Sequence, residues 1–227
     1  EGVKDYVEDD CLLGTWEITE CFDSLYRGLQ LIPEDENKLL GFKSAHRQLE
    51  WLSVRRLLLE LTGDPTQRIV YSKERKPFLA SGSYQISISH SFKYTSVLIS
   101  KSKKVGLDLE YMSHRISNIA HKFINDIQVI SMDPTMQRYH LYIHWCAKEA
   151  LYKICDKQDI NFKKNLTIFP FEPKSEGDIE GEVSNIHGLE KFDLHYSRNG
   201  EYIMAWCAKD KQHLNDVFNF SLHEYLF

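Results

Sequence analysis

The chain repeats one pattern of secondary structure, and this repeat limits the possible folds more than any other feature. Residues 84–103 align without a gap on residues 192–211, with aromatic, aliphatic, serine and lysine positions coinciding. Each segment has alternating polar and apolar residues, a polar turn and a more continuous apolar run, which predicts a β-hairpin. The turn of the second copy contains Asn199-Gly200, a strong hairpin signal.

A second correspondence lies upstream of each hairpin. Residues 45–61 place Trp51 where residues 139–155 place Trp145. Both segments are rich in helix formers with an apolar period of 3.6, which predicts a long helix in each. Because helix and hairpin recur in the same order, we predict an α+β fold: a pseudo-dimer of two similar halves, each an antiparallel sheet packed on a long helix. The predicted halves are residues 1–104 and 105–227.

The composition is that of a globular protein, with 42% hydrophobic residues and a net charge of −5. This charge disfavours a general nucleic-acid binder, which normally shows a basic excess. No apolar run approaches the ~20 residues of a membrane span. The five cysteines have no metal-like spacing, so we predict a reduced, cytoplasmic protein. We also predict a monomer, because the second half already supplies a partner surface for the first.

The segment 104–110 carries two carboxylates. Apolar residues alternate there with Gly106, Asp108 and Glu110, which predicts a strand. Side chains two residues apart on a strand share a face, and two carboxylates so placed repel unless a cation or proton lies between them. Hard oxygen ligands suit Mg²⁺. The alternative is the solvated face of an edge strand, and the spacing alone leaves both interpretations open.

Glu149 and Lys153 are four residues apart and share a face of the second predicted helix. They form either a surface pair worth a few tenths of a kcal/mol or a third metal carboxylate with an ammonium that neutralises a phosphate oxygen. The spacing does not decide between these interpretations.

Ser89-His90-Ser91 is predicted to follow a strand that ends at residue 88, at a turn. One ring N–H and two hydroxyls suit a phosphate group, although a purely polar turn is the alternative. His140 and His144 have a spacing seen in zinc sites, but no third ligand is evident, so satisfied or exposed histidines are favoured. Cys146 is interpreted as a packing residue.

Three motifs follow one another along the chain: S-H-S, V-G-L-D-L-E and W-C-A-K-E-A-L-Y-K. In this order they resemble the 4′-phosphopantetheinyl transferase superfamily. The likeness is to the type in which two similar halves are fused, the surfactin-synthetase-activating type. The signature of the family is a G-x-D strand motif followed by a (F/W)-(S/C/T)-x-K-E-(A/S)-x-x-K helix. Residues 106–108 and 145–153 satisfy both parts.

The resemblance implies an enzyme of the holo-[acyl-carrier-protein] synthase type. Such enzymes move the 4′-phosphopantetheine arm of coenzyme A to a serine of an apo acyl or peptidyl carrier protein, with Mg²⁺, and release 3′,5′-ADP. Carried over by motif, Asp108, Glu110 and Glu149 bind Mg²⁺ together with the pyrophosphate of coenzyme A. Lys153 and His90 contact that pyrophosphate. Glu149 accepts the serine proton directly or through a metal-bound water, and the sequence leaves both routes open.

The resemblance also implies further contacts to coenzyme A. Lys76 matches the lysine of a G-K-P segment, and Arg47 matches an arginine near the 3′-phosphate. The residues predicted to bind coenzyme A are Arg47, Lys76, Ser89, His90 and Lys153, and the catalytic residues are Glu149, Lys153 and His90. The first half is then expected to contribute to coenzyme A binding, and the second to hold the metal site and the carrier-facing region.

Two residues depart from the family pattern. Arg75 replaces the usual glycine before Lys76. Gln128 stands where many members have a glutamate, in the stretch 120–129 that resembles the carrier-facing region. The carrier could therefore belong to a fatty-acid, polyketide or peptide synthase. Two other functions stay open: a metal-dependent phosphodiesterase that uses the same carboxylates, and a non-catalytic homologue that binds carrier proteins.

Overall fold

The computed structural model describes residues 2–8, 10–155, 160–186 and 188–211. Its contacts divide the chain into two compact units, residues 1–101 and 102–227. The predicted second half includes residues 212–227, which lie outside the described residues. No helix within the described ranges is long and apolar enough to cross a membrane.

The first unit is built on a four-stranded antiparallel sheet with the strand order β1-β2-β6-β5. Its strands are β1 (Gly2–Glu8), β2 (Cys11–Glu17), β5 (Gln85–Ser91) and β6 (Tyr94–Ser100). Between β2 and β5 lie the helices α1 (Phe22–Tyr26), α2 (Pro33–Leu40) and α3 (Ala45–Thr62), then the small hairpin of β3 (Ile69–Tyr71) and β4 (Pro77–Leu79).

Helix α3 has clear sequence signals at both ends. The Ser44 side chain accepts a hydrogen bond from the backbone N–H of Arg47 and caps the first turn. The helix ends at Gly63, which adopts the left-handed conformation (φ 67°) and donates its N–H to the Leu59 carbonyl. Between these caps, leucines of α3 pack in one core with apolar residues of β2, β5 and β6.

The second unit has a five-stranded antiparallel sheet with the order β7-β11-β10-β9-β8, so β7 is an edge strand. The strands are β7 (Lys103–Tyr111), β8 (Leu166–Ile168), β9 (Glu176–Asn185), β10 (Gly188–Asn199) and β11 (Tyr202–Asp210). After β7 come the short helix α4 (Ile116–Ile119), a 3₁₀ turn (Ala120–Lys122) and the long helix α5 (Pro134–Ile154). The antiparallel sheets and long helices of the predicted α+β fold are thus confirmed.

Helix α5 forms the centre of the second core. Asp133 caps it by accepting from the N–H of Thr135 at 2.8 Å, and Pro134 occupies the first helical position. Its fully buried face, which includes Ile143, Ala147 and Leu151, packs in one cluster with apolar residues of β8 to β11. This packing fixes the orientation of the opposite, partly exposed face of α5.

The two predicted hairpins pair in the same register. Ser91 pairs with Tyr94 in β5–β6, and Asn199 pairs with Tyr202 in β10–β11. These pairs are related by the 108-residue shift of the gapless sequence alignment. The two-residue turn begins at Phe92 in the first hairpin and at Gly200 in the second, and both residues have positive φ (54° and 58°).

The strand next to each hairpin extends this correspondence. Leu13 of β2 pairs with Leu98 of β6, and Leu107 of β7 pairs with Trp206 of β11. Leu98 and Trp206 are equivalent under the hairpin alignment, so Leu13 is equivalent to Leu107, 94 positions later. The same shift of 94 positions relates Trp51 of α3 to Trp145 of α5. Each unit therefore contains a strand, a long helix and a hairpin with matching registers.

One local expectation was wrong. The strand predicted to end at residue 88 continues through Ser91, so Ser89, His90 and Ser91 lie within β5 and not at a turn. Alternation along the strand then places His90 on one face and the two serines on the other. His90 is partly exposed, whereas Ser89 is buried.

Candidate functional site

Strand β7 and helix α5 approach each other unusually closely at Gly106. A Cβ atom at this position would lie 2.1 Å from the carbonyl oxygen of Ala150 and 3.0 Å from Cβ of Ile154. Only a residue without a side chain permits this approach. This close approach explains why the G-x-D motif has a glycine. Because side chains alternate along a strand, the side chain two residues after Gly106 in β7 faces the partly exposed side of α5.

Asp108 is paired with Lys153 across this contact. The ammonium of Lys153 donates to Asp108 Oδ1 at 2.7 Å and to the Leu107 carbonyl at 2.9 Å. Asp108 is only 4% exposed, which excludes the solvated-face interpretation for this carboxylate. The lysine of the helix motif therefore contacts the strand carboxylate and not its i, i−4 neighbour Glu149.

Glu110 and Glu149 complete the acidic group. Trp145 Nε1 donates to Glu110 Oε1 at 3.4 Å, which turns this carboxylate towards α5. Burial, reinforced by the negative charge of Asp108, raises the pKa of Glu149 from 4.5 to about 7, although Lys153 opposes the shift. Glu110 adds a smaller effect in the same direction. The three carboxylates are thus close enough to influence one another's charge.

The donor atoms of this group fit Mg²⁺, since all three are carboxylate oxygens and they repel one another without a cation. Within the described ranges, however, no three His, Cys, Asp or Glu side chains already lie in a metal-binding arrangement. The ammonium of Lys153 at Asp108 offsets one of the three negative charges of the group.

The raised pKa of Glu149 predicts a dependence of stability on pH. Its folded-state pKa lies above the unfolded value of 4.5, so the folded protein binds more protons and loses stability as the pH rises from about 4.5 to 7. We expect Glu149→Gln to be more stable than the wild type at pH 8, by about 1–3 kcal/mol, with the difference vanishing near pH 4.5.

Urea unfolding of both proteins at several pH values, with EDTA present, measures this effect. Glu60→Gln serves as the control, because Glu60 is an exposed carboxylate of α3 in a surface pair with Arg56. An equal stability difference between Glu149→Gln and the wild type at pH 5 and pH 8 would show that the pKa of Glu149 is not raised in the folded protein.

In the first unit, Arg47 and His90 lie together. Arg47 Nη1 is 2.6 Å from His90 Nε2, and it donates to Glu50 Oε2 at 2.8 Å. Nδ1 of His90 and Nε2 of His46 each lie 3.3 Å from Glu50 Oε1. Glu50 was not identified from the sequence. The i, i+3 and i, i+4 spacing of the three helix residues was an available signal, but their contact with β5 was not.

Lys76 and Ser89 are the other predicted coenzyme A residues of the first unit. Lys76 closes a tight turn, in which Ser72 N–H donates to the Lys76 carbonyl at 2.9 Å. Arg75, which replaces the family's glycine, has φ 64° in this turn, a conformation that favours glycine. Ser89 lies on the opposite face of β5 from His90, so its predicted contact with the same ligand stays a prediction.

The stretch 120–129, predicted from the resemblance to face the carrier, exposes two apolar side chains, Ile127 (59%) and Val129 (61%). Gln128 between them is buried, and its Nε2 donates to Nδ1 of His144 at 2.7 Å. Burial lowers the pKa of His144 to about 3, assisted by the charges of His140 and Lys148. This histidine is therefore a buried, neutral residue of the core.

Two further residues of the helix motif are structural. Cys146 is fully buried, and burial followed by the charge of Asp108 raises the pKa of its thiol well above the ordinary value. This excludes a role as nucleophile. The ammonium of Lys148, also fully buried, donates to the carbonyls of Phe123 and Phe162. Lys148 thereby ties the segment around Phe123 to α5, a role that the sequence did not reveal.

The first-unit helix lacks the acidic group. Arg55 occupies the position equivalent to Glu149 under the 94-residue shift, and it is 7% exposed. Its guanidinium lies 3.1 Å from the ring centroid of Trp51 and 3.8 Å from Asp35. In β2, Gly14 stands at the position of Asp108. The carboxylate group thus occurs in the second unit and not at the equivalent positions of the first.

Comparison with known proteins agrees with the motifs. Residues 104–207 match the model of the 4′-phosphopantetheinyl transferase superfamily. No curated protein sequence matches the chain. The matched segment contains β7 with Gly106 and Asp108, and α5 with Glu149 and Lys153. The segment 104–207 therefore belongs to the 4′-phosphopantetheinyl transferase superfamily.

Proposed function

We propose that this protein transfers the 4′-phosphopantetheine arm of coenzyme A to a serine of an apo acyl or peptidyl carrier protein, in a Mg²⁺-dependent reaction of the holo-[acyl-carrier-protein] synthase type. The observation that carries the proposal is the contact of Asp108 with Lys153 beside Glu149, whose pKa is about 7, inside the segment that matches the superfamily.

In this reaction the serine oxygen forms a bond to the phosphorus that bears the arm, and the bond from that phosphorus to the oxygen of 3′,5′-ADP breaks. The serine proton must go to a base. We assign this role to Glu149, the carboxylate of the α5 motif, which lies close enough to Asp108 and Lys153 to feel their charges. The proton reaches it directly or through a water molecule.

Asp108, Glu110 and Glu149 are the residues that would hold Mg²⁺. When bound, the ion supplies positive charge to the phosphoryl oxygens. Lys153 supplies a second positive charge from the protein itself. Because its ammonium is held at Asp108 in the unliganded protein, it is already ordered next to the acidic group and becomes available to a phosphate oxygen when that carboxylate takes another partner.

We assign to the first unit a contribution to coenzyme A binding through Arg47, Lys76, Ser89 and His90, and to the second unit the metal and carrier-facing residues. For Arg47 and His90 the assignment is supported by their contact and by their partial exposure, 44% and 35% of their side chains. For Lys76 and Ser89 it rests on the motif resemblance.

We further propose that the protein is of the two-half type. The support is the equal register of the two hairpins and the common 94-residue shift of strand and helix. A monomer follows from this proposal, and light scattering tests it: an obligate trimer would contradict it. A cytoplasmic location is proposed from the five free cysteines, four of which are buried.

Mass spectrometry tests the proposed activity directly. The protein is incubated with apo acyl carrier protein, coenzyme A and Mg²⁺, and then with apo peptidyl carriers. We expect the carrier to gain roughly 340 Da, the mass of the covalently attached arm. Omission of coenzyme A, and addition of EDTA, are the controls. A folded protein that modifies no carrier would refute the proposal.

Two further measurements, phosphodiester hydrolysis and carrier binding, separate the two other candidate functions. A metal-dependent phosphodiesterase would hydrolyse a simple phosphodiester without coenzyme A. A non-catalytic homologue would bind the carrier without changing its mass. The pairing of Lys153 with Asp108 beside a perturbed Glu149 favours the transferase over the homologue, because binding a carrier surface requires no such group.

A further inference from the structure

A small cavity of the first unit contains none of the residues predicted to bind coenzyme A or Mg²⁺. It lies between the connection from α1 to α2, the helix α3 and the segment that leads from α3 to β3. With the solvent at its mouth, the cavity measures about 400 Å³. All its lining residues belong to one unit. The apolar lining includes Leu31, Leu59 and Ile69, and the polar lining includes Asp35, Arg55 and Arg68.

One nitrogen of the buried Arg55 guanidinium group makes no hydrogen bond. The residue is only 7% exposed. Its Nη1 donates to the Trp51 carbonyl at 3.2 Å, and the group lies against the Trp51 ring. For Nη2, the described part of the chain offers no acceptor within hydrogen-bond distance, and Oδ1 of Asp35 is 3.8 Å away. A buried charged donor without an acceptor is unfavourable, so a bound acceptor would stabilise it.

Arg68 faces the second oxygen of the same carboxylate. Its Nε lies 4.0 Å from Oδ2 of Asp35, and no acceptor of the described ranges is within hydrogen-bond distance of it. Asp35 thus attracts two guanidinium groups without a hydrogen bond to either of these nitrogens. Two charged donors therefore remain at the cavity for the oxygens of a ligand.

The charges around the cavity favour an anion. Burial lowers the pKa of Arg55 to about 10, and the opposing effects of Tyr71 and Asp35 are smaller. The guanidinium is still charged at neutral pH, but its burial is not fully offset. Burial and the charge of Arg55 also lower the pKa of Lys38, so a third cation is close. The other carboxylate of the lining, Asp64, already accepts hydrogen bonds at 2.7 and 2.8 Å within its own turn.

We propose that this cavity binds one small oxyanion, a carboxylate or a phosphate group, which accepts hydrogen bonds from Arg55 and Arg68. A guanidinium group suits such an anion because its planar donors match two oxygens at once. Asp35 offsets part of the repulsion between the two cations while the cavity is empty. The proposed function gives these residues no role. Since Arg55 corresponds to Glu149 in the repeat, the two units would carry sites of opposite charge at one helix position.

Calorimetric titration with sodium phosphate, and separately with sodium acetate, tests the site. We expect the wild type to bind at least one of these anions, at one site per chain. Arg55→Gln and Arg68→Gln should bind it at least about tenfold more weakly, as for a lost charge-assisted hydrogen bond. Arg56→Gln is the matched control, because Arg56 is the next residue of α3, forms a surface pair with Glu60 and does not line the cavity.

Asp35→Asn separates an anion site from an ion cluster that serves only the fold. It keeps both guanidinium groups but removes the negative charge that competes with the ligand. We expect this variant to bind the anion about threefold more tightly than the wild type. A cluster that serves only the fold would lose stability and gain no affinity. Circular dichroism checks the fold of each variant, and if Arg55→Gln does not fold, Arg68→Gln and Asp35→Asn decide.

Two results would overturn the inference. One is a wild type that binds neither phosphate nor acetate. The other is an equal loss of affinity in Arg56→Gln, which would indicate general attraction to positive charge.

Titration in the presence of saturating 3′,5′-ADP identifies the source of the oxyanion. Unchanged binding indicates a free anion, whereas displacement, with weaker binding of 3′,5′-ADP by Arg55→Gln, indicates a phosphate group of the nucleotide. Both results support the site. Neither requires transfer of the arm, so the outcome is independent of the proposed activity.

Discussion

Replacing Asp108 by alanine should abolish transfer of the arm, with a loss of at least about 100-fold in kcat/KM, while the protein remains folded. The buried carboxylate is the partner of Lys153 at 2.7 Å and a main electrostatic neighbour of Glu149. Its removal deletes a proposed metal ligand and leaves the ammonium without this partner. Glu149→Gln should cause a comparable loss, because it removes a metal ligand and the proposed base.

The carrier mass assay measures these losses, and circular dichroism checks the fold. Asp193→Asn is the matched control: Asp193 is an exposed carboxylate on β10 of the same sheet, and its loss should leave transfer unchanged. Mg²⁺ should also raise the unfolding temperature of the wild type but not of Asp108→Ala, since an ion that binds only the folded site stabilises it. Near-normal transfer by Asp108→Ala would show that the assignment of Asp108 as a metal ligand is wrong.

Local patterns in the sequence were sufficient for the elements themselves. The alternation in residues 192–211 and the Asn199-Gly200 turn predicted the β10–β11 hairpin, which is observed with that turn. The period of 3.6 predicted α3 and α5. These signals work because hairpins and capped helices are determined by neighbouring residues. The strand β2 was not predicted, because its pairing with β6 joins Leu13 to Leu98 across most of the first unit.

Local sequence patterns were not sufficient to predict the side-chain contacts of the site. The i, i+4 spacing of Glu149 and Lys153 predicted that they share a helix face but did not reveal the partner of the ammonium, which bonds to Asp108, 45 residues away. A buried carboxylate attracts a cation more strongly than a partly solvated one, and the close packing of β7 on α5 determines which carboxylate is buried. Glu50 was missed for a related reason: the helix spacing was visible, but its contact with His90 comes from the docking of α3 on β5.

Gly106→Ala tests whether this close packing creates the site. The added methyl group would meet the carbonyl of Ala150 at 2.1 Å, and a helix backbone atom cannot move away without shifting α5. We expect a loss of about 2–4 kcal/mol in the free energy of unfolding, as for severe overpacking. We also expect transfer to be lost, because a displaced α5 carries Glu149 and Lys153 away from Asp108.

Gly177→Ala in β9 is the matched control, since its nearest contacts are side-chain atoms of Tyr196 at 3.2 Å and not a backbone atom at 2.1 Å. It should lose less than about 1 kcal/mol and keep its activity. Urea unfolding and the carrier mass assay give both quantities for each variant. Gly106→Ala with wild-type stability would show that β7 and α5 are farther apart than described. A destabilised variant with full activity would mean that the chemistry does not depend on the separation of Asp108 from α5, and the proposed acidic group would then have to be abandoned.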